Sequence, residues 1–384
     1  VKGGSNMRIG IECQRLLRPN KHGMEIVALE LIKQLQQIDQ TNEYFIFVKT
    51  DEDETCISET DNFKLVKIPA VNFAEWEQIQ LPTAIKKYKL DLLHCTCNTS
   101  PYFTSTPTIL TLHDIIYLEN LDFSGTSYQN IGNMYRRLVV PKVVPKCKSI
   151  ITVSHYEKDK IVERFKIHED RIKVVYNGVS PRFKQHTNQD EISEMLQAFE
   201  LPHEYILFFG NTAPKKNTKG ALRAYAHYAK ENKNALPLVV TDLTEKTLRQ
   251  ELAEIKAESL RSKIKLLGYF PNQRIPYLYN RAKLMLYPSI RESFGLPIIE
   301  SMACGTPVVT SNISSMPEVA GNAAILTNPF NPVEIAEGIT QLLSDDELYE
   351  SNVQKGLERA SFFSWHSTAQ TTLSVYSCMN SRVN

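Results

Sequence analysis

Short apolar runs alternate with segments of helical period along almost the whole chain, and this alternation leaves few folds open. In the first half the runs are Arg8 to Cys13, Tyr44 to Lys49, Lys64 to Pro69, Leu90 to Cys95, Thr108 to Leu112, Ser149 to Val153 and Lys173 to Tyr176. In the second half they are Tyr205 to Phe209, Leu238 to Thr241, Ile264 to Leu267, Leu284 to Tyr287, Val308 to Thr310 and Ala324 to Leu326. They are β-rich and largely unbroken by polar residues, as parallel strands covered on both faces must be. Between them Ala28, Leu31, Ile32, Leu35 and Ile38 fall on one helical stripe, and so do Ala221, Ala224, Tyr225 and Tyr228. Strand–helix alternation in two series predicts two doubly wound α/β domains. The expected spans are 7–185 and 200–364, divided within Pro181 to Pro202, where the polar run Gln185 to Glu191 follows a proline. Ligands of open α/β sheets bind at the carboxyl ends of strands. Two such domains facing each other would place a ligand in the cleft between them.

Composition narrows the class. A chain of 384 residues, 42% hydrophobic and 23% charged, is ordinary soluble globular protein with room for two domains. A formal charge of +1 argues against nucleic acid as a partner. The seven cysteines are scattered, and Cys95-x-Cys97 lacks both the spacer and the second pair of a zinc knuckle. They are read as reduced thiols of a cytoplasmic protein. No apolar run approaches a membrane span of roughly 20 residues. No signal peptide is read, and Val1 to Asn6 look like a cloning remnant ahead of a natural Met7.

The richest local feature is Glu292-Ser-Phe-Gly-Leu-Pro-Ile-Ile-Glu300-Ser-Met-Ala-Cys-Gly305. It sets one carboxylate in a loop after a strand and another eight positions on, just inside a helix. Pro297 suits the first helical turn and Gly305 suits the cap. The free N–H groups and positive dipole end of such a helix favour an anion such as phosphate. The two acids would repel that anion, so they are better matched to hydroxyls. Phosphate beside polyol points to a sugar nucleotide.

A second element, Phe208-Phe-Gly-Asn-Thr-Ala-Pro-Lys-Lys-Asn217, opens the second domain's first strand-to-helix turn. Gly210 permits close backbone approach, and Lys215 and Lys216 sit where cations are unfavourable unless an anion joins them. The Gly-x4-Gly-Lys spacing of a P-loop is absent. A third element, Thr111-Leu-His-Asp-Ile115, puts His113 and Asp114 at a strand end, either as a hydrogen-bonding or acid/base pair or as structure. Asp51-Glu-Asp53 is read as an exposed acidic loop and not a metal site. Arg136, Arg137, Lys142, Lys146 and Lys148 alternate with Leu138, Val139, Val140, Val143 and Val144. This stretch is read as a helix with one buried and one solvated face, a weak contact with an anionic membrane being the other reading.

Together these residues resemble glycosyltransferase family 4, the retaining sugar transferases of GT-B fold, over nearly the whole chain from Met7. The Glu292 to Glu300 block looks like the family's paired-glutamate motif, and Pro214-Lys-Lys-Asn217 looks like a segment of mannosyltransferase-like members. Thr152-Val-Ser154, Tyr176-Asn-Gly-Val179 and Leu267-Gly-Tyr-Phe-Pro271 match further family segments. Ser361-Phe-Phe-Ser-Trp365 resembles the start of a terminal helix, about 365–384, that crosses back to the first domain. The resemblance implies roles. Glu300 would hold the nucleotide ribose. Glu292, Ser293 and the backbone of Phe294, Gly295 and Leu296 would bind the donor sugar and diphosphate. Lys216 would meet the diphosphate, with Gly210, Asn211 and Lys215 around it, and Phe270 would lie at the base. His113 would touch the donor sugar near the reacting carbon, and Gly23 belongs to the family's glycine loop. Catalysis is thereby assigned to His113 and Glu292. Two departures stand out: Asn211 replaces the Arg common after Gly210, and Pro19-Asn-Lys-His-Gly23-Met-Glu is a reduced glycine loop.

The implied reaction moves a hexose, mannose by analogy, from a GDP- or UDP-linked donor to a glycan or lipid-linked acceptor in polysaccharide or glycoconjugate synthesis. The donor is a co-substrate, and no cofactor or metal is expected because lysines and a helix end supply positive charge. The implied location is the cytoplasm, with a peripheral place at the inner face of the membrane. A nucleotide-sugar epimerase or hydrolase on the same fold, or a non-catalytic sugar-nucleotide-binding subunit, are the competing readings. The sequence gives no oligomeric state.

Overall fold

The computed structural model describes residues 6–19, 21, 23–119, 127–186, 189–268 and 270–380. Val1 to Ser5, Asn20 and His22 of the expected glycine loop, Asn120 to Thr126, Thr187 and Asn188 of the boundary stretch, Tyr269 and the last four residues lie outside them.

The first sheet is built from β1 (Arg8–Glu12), β2 (Glu43–Val48), β3 (Phe63–Lys67), β4 (Leu92–Cys95), β5 (Thr108–Thr111), β6 (Ser149–Thr152) and β7 (Ile172–Val174). Its order is β3-β2-β1-β4-β5-β6-β7. Each pairing is parallel, as in β1 with β2, where Ile9 faces Tyr44, and β1 with β4, where Ile9 faces Leu92. The second sheet comprises β8 (Tyr205–Phe209), β9 (Leu238–Thr241), β10 (Ile264–Gly268), β11 (Ala282–Tyr287), β12 (Val308–Ser311) and β13 (Ile325–Thr327), in the order β10-β9-β8-β11-β12-β13 and again parallel. Every apolar run singled out in the sequence is a strand, with ends shifted by one or two residues.

The runs are unbroken because both faces are covered. Ile9, Ile11, Ile206, Leu207, Val239 and Leu286 are fully buried, each burial contributing about 1.5–3 kcal/mol. The predicted stripes lie inward, with Ile32, Leu35, Ala221 and Tyr225 also fully buried. In both sheets the strand order reverses beside the first strand, between β1 and β4 and between β8 and β11. A crevice at the carboxyl ends of those two strands is where such sheets take ligands.

Two compact units result. The chain leaves the first after Gly178 and returns to it at Trp365. Val179 belongs to the second unit, bridging Ser364 in parallel and donating its N–H to Phe363 O at 2.8 Å. The terminal helix Trp365–Asn380 belongs to the first unit and packs against the helix Gly23–Ile38. Its Tyr376 is fully buried, with the hydroxyl 2.6 Å from His94 Nδ1. His94 Nε2 lies 2.7 Å from Thr111 Oγ1, and burial lowers the imidazole pKa to about 3. His94 is therefore a neutral core link between two strands and the terminal helix.

Candidate functional site

The second sheet's switch point gathers two loops. One follows β8 and carries Gly210 through Lys216; the other follows β11 and carries Pro288 through Gly295. They are tied at the backbone, Ile290 N donating to Lys215 O at 2.7 Å. Asn217, at φ 56°, donates its side-chain amide to Pro288 O at 3.0 Å and Pro329 O at 2.7 Å. This clamp sets the lysine position. Lys216 Nζ reaches Glu292 Oε1 at 2.6 Å and the Tyr287 hydroxyl at 3.2 Å.

Glu292 is held firmly and is 8% exposed. Its N–H donates to Ser314 Oγ at 3.1 Å. Its carbonyl accepts from Ser314 Oγ at 2.8 Å, Ser315 Oγ at 3.0 Å and Arg291 Nη1 at 2.9 Å. Ser315 also donates to Phe294 O at 2.9 Å. Burial works against ionisation of Glu292, but the charges of Lys216 and Lys215 outweigh it and hold its pKa below the usual value. Glu292 is a carboxylate at neutral pH.

The helix Leu296–Ala303 follows, capped at its N-terminus by Gly295 at φ 106° and carrying Pro297 in its first turn. At its far end Gly305 N donates to Met302 O and Thr306 N to Ser301 O, with Gly305 at φ 76°. These are the paired bonds of a Schellman cap, as the glycine's position predicts. Phe294 is 2% exposed and meets Phe363 edge-on at 5.5 Å, which anchors the loop in the core. The first N–H groups of the helix lack partners four residues back and so carry the positive dipole end.

Glu300 occupies a different environment from Glu292. Its Oε2 accepts from the Tyr279 hydroxyl at 3.2 Å. Burial raises its pKa to about 7, with Arg182 and Tyr279 opposing the rise. One glutamate is thus charged and the other titrates near neutrality, and such divergence is common at functional sites.

Gly210 has a structural cause. A Cβ there would lie 2.8 Å from Thr241 O and from Val240 Cγ1, and its N–H donates to Thr241 O at 3.1 Å. The close approach it permits is to β9. Asn211 makes a local turn, its Oδ1 accepting from Ala213 N at 2.8 Å, and its carbonyl accepts from Thr218 Oγ1 at 2.5 Å. Lys215 is half-buried and acts on Glu292 through charge. Ser293 and Leu296 are half-buried beside the cap. The Phe270 ring is 5% exposed and packs on Phe199 at 4.6 Å.

In the first unit His113 follows β5 and is 5% exposed. Its N–H donates to Asn98 Oδ1 at 2.6 Å, and its Nε2 lies 2.9 Å from Thr96 O. A carbonyl only accepts, so Nε2 carries the proton and Nδ1 is the ring's remaining polar atom. Burial lowers the pKa, so the ring is neutral. Asp114 is not hydrogen-bonded to it; the Asp114 carboxylate accepts from Ile116 N at 3.1 Å and opens the next helix. The His–Asp element is thus a buried imidazole beside a helix-starting turn. Gly23 begins the helix Gly23–Ile38, with nothing within 4 Å of where a Cβ would stand. Asp53, in the acidic loop, ion-pairs with Lys21 at 2.5 Å.

Residues 22–183 match the model of Glycosyltransferase Family 4, and residues 188–359 match that of Glycosyl transferases group 1. The chain belongs to this glycosyltransferase family. A relative within it is the O-antigen chain mannosyltransferase B of Escherichia coli, 35% identical over 60% of this chain and 60% of that protein. The serotype-specific mannosyltransferase WbdA of Escherichia coli is 28% identical over 69% of this chain and 33% of its own length. The chain therefore spans under two thirds of the first relative's length and a third of the second's. Among solved structures, Anabaena Alr3699/HepE in complex with UDP and glucose superposes with a TM-score of 0.73 at 18% identity, covering 97% of this chain and all of that one. The chain accordingly has the two-domain α/β fold of the GT-B type.

The sequence reading of this chain missed Arg182, Tyr279, Tyr287, Ser314 and Ser315. Tyr287 ends a predicted strand beside the paired glutamates and was within reach of the pattern. Ser314 and Ser315 follow β12, the strand next to β11, and only the strand order reveals that they hold Glu292.

Proposed function

We propose that this chain transfers a hexose from a nucleoside-diphosphate sugar to a glycan or lipid-linked acceptor, with mannose from GDP-mannose as the donor. The observation that carries this reading is the Lys216–Glu292 pair at the carboxyl ends of β8 and β11, beside a helix N-terminus. A diphosphate leaving group gains negative charge as the sugar–oxygen bond breaks. Lys216, Lys215 and the helix N–H groups are fixed in advance where that charge can be met, so they stabilise the transition state with little reorganisation. Glu292, charged and pinned, takes sugar hydroxyls. Glu300 takes the ribose. His113 offers Nδ1 to the donor sugar as a neutral acceptor. The two mannosyltransferase relatives favour mannose, and the Alr3699/HepE complex keeps UDP in view.

A thermal-shift screen with GDP, UDP, ADP and their sugars tests the reading, because a ligand bound only by the native state raises its melting temperature. GDP and GDP-mannose are expected to give the largest shifts, undiminished by a chelator. No shift with any nucleotide would remove the transferase reading.

A peripheral place at a membrane is part of the proposal. Among the described residues no helix is long and apolar enough to cross a bilayer. The helix Ser127–Val143 has the buried and solvated faces that its sequence predicts, with Leu138 on the solvated one. Val140 and Val143 are buried, but Ile131, Met134 and Leu138 are 68%, 53% and 64% exposed along one face. No Asp or Glu occurs between Asp122 and Glu157, while Arg136, Arg137, Lys142, Lys146 and Lys148 do. An apolar stripe in an acid-free basic segment fits an anionic lipid surface.

A further inference from the structure

The second unit opens with a strap. Val179 is its first residue, and residues 180–186 run on from it over two helices. One helix is Ile275–Arg281, which carries Tyr279; the other is Leu296–Ala303, which carries Glu300. Phe183 N donates to Ser180 O at 2.9 Å and turns the strap inward. The Phe183 ring is 5% exposed and meets Tyr279 edge-on at 5.9 Å. His186 N donates to Asn280 Oδ1 at 2.7 Å, and Asn280 Nδ2 donates to Lys184 O at 2.8 Å. The His186 ring stacks on Tyr277 at 4.7 Å. Gln185 passes so close to the end of the second helix that a Cβ on Gly305 would lie 2.5 Å from its Nε2. The strap is thus fastened to the helix that bears Glu300 and to its neighbour.

The contacts reach the Glu300 carboxylate. Tyr279 is fully buried, and its hydroxyl donates to Glu300 Oε2 at 3.2 Å. That bond orients the carboxylate and leaves Oε1 for an incoming hydroxyl. Arg182, beside Phe183, is exposed, with its guanidinium carbon 4.8 Å from the centre of the Phe183 ring. A carboxylate receives two hydroxyls best when ionised, because protonation turns one of its oxygens into a donor. Burial raises the Glu300 pKa to about 7, and the charge of Arg182 and then the Tyr279 hydroxyl oppose the rise. Tyr287 of β11 and Cys304 also interact with Glu300, and burial keeps both of them neutral.

We propose that the strap is a positioning element of the donor site, Arg182 and Tyr279 holding the Glu300 carboxylate in place for the ribose hydroxyls of the nucleotide. The inference rests on the reading that Glu300 takes the ribose. It extends that site to residues outside the Glu292 to Glu300 motif, and to the segment by which the chain enters the second unit.

The test measures, by calorimetry, the affinity of wild type, Tyr279→Phe and Arg182→Gln for GDP, UDP and their 2′,3′-dideoxy counterparts. Tyr279→Phe removes one hydroxyl and keeps the ring, and Arg182 is exposed, so both variants should keep the wild-type unfolding midpoint. If the buried Tyr279→Phe does not, Arg182→Gln carries the comparison. Wild type is expected to bind the better ribonucleotide about ten-fold or more tightly than its dideoxy form, as hydrogen bonds to a charged group allow. Each variant should lose about three-fold or more in ribonucleotide affinity and keep its dideoxy affinity within about two-fold. Arg182→Gln should also move the rise of ribonucleotide affinity with pH to higher pH, since loss of a nearby cation raises a carboxyl pKa. Undiminished discrimination in the variants, or equal loss for both nucleotide forms, would overturn the strap's role while leaving the ribose site standing. Wild type that binds both forms equally would remove the ribose role of Glu300, and the inference with it. Wild type that binds no nucleotide would remove the transferase reading itself.

Discussion

Lys216 Nζ lies 2.6 Å from Glu292 Oε1, and the two residues come from loops at the carboxyl ends of the neighbouring strands β8 and β11. The pair is partly buried, with side chains 26% and 10% exposed. A diphosphate would therefore compete with Glu292 for the lysine. Lys216→Ala should weaken nucleoside-diphosphate binding by about 1.5–3 kcal/mol, the worth of a charged hydrogen bond. Glu292→Gln should act in the opposite sense on binding. It frees the lysine and is expected to tighten the bare diphosphate while cutting turnover. Calorimetric titration with GDP, beside a turnover assay, separates the two effects. Equal affinity in both variants would remove the competition.

Glu300 predicts a pH dependence. Burial raises its pKa to about 7, and Arg182, Tyr279, Tyr287 and Cys304 are among the neighbours that interact with it. A carboxyl whose folded pKa exceeds its unfolded value binds more protons when folded. Stability is thus lost as pH rises from about 4.5 to 7. Glu300→Gln should be close to neutral in urea unfolding at pH 4 and more stable than wild type at pH 8. If the charged form receives ribose hydroxyls, wild-type affinity for GDP should rise with pH through about 7, and the Gln variant should lose that rise.

The fold was legible because burial on both faces writes parallel strands as unbroken apolar runs. Strand ends moved by a residue or two, since a run such as Leu90 to Cys95 holds residues buried beside a strand as well as within it. The Glu292 to Glu300 motif was legible because a proline and two glycines must stand where a cap, a turn and a Schellman end require them. Electrostatic detail was not. Nothing local distinguishes Glu292, which Lys216 keeps charged, from Glu300, which burial raises toward neutrality. Ser314 and Ser315 hold Glu292 from across a strand boundary. Nor does the sequence show that His113 and Asp114, adjacent at a strand end, turn to different partners, here Thr96 and Ile116.

Gly210 separates packing from binding. An alanine Cβ would meet a carbonyl oxygen of β9 at 2.8 Å, and a backbone atom yields less readily than a side chain. Gly210→Ala should destabilise the protein by about 1–3 kcal/mol, as overpacking does. At temperatures where the variant remains folded, its affinity for GDP should match wild type. Denaturant unfolding and calorimetry decide; a stable variant that no longer binds nucleotide would return Gly210 to the binding site.

His113 should act through its tautomer. With the proton fixed on Nε2 by Thr96 O and the ring kept neutral by burial, only Nδ1 can accept from a donor sugar. Nitrogen-resolved NMR of the free protein at pH 7 should show the neutral Nε2–H form. His113→Ala should cut turnover while GDP binding persists. An imidazolium at pH 7, or an unchanged rate in the variant, would make the residue structural.

The helix Ser127–Val143 carries the last prediction. Ile131, Met134 and Leu138 lie at the spacing of one helical face and are all exposed, whereas Val140 and Val143 fill the core. Exposed Lys142, Lys146 and Lys148 lie beside and beyond the helix's end. Each cation near an anionic bilayer contributes about 1 kcal/mol, and salt screens that attraction. The protein is expected to sediment with vesicles containing anionic phospholipid, less so as salt rises, and not with neutral vesicles. Leu138→Glu should abolish sedimentation without lowering stability, because the side chain it replaces is 64% exposed. Lys142→Glu should weaken sedimentation and leave its residual part less dependent on salt. Binding that ignores both substitutions, or none to anionic vesicles at low salt, would leave the stripe without a lipid partner.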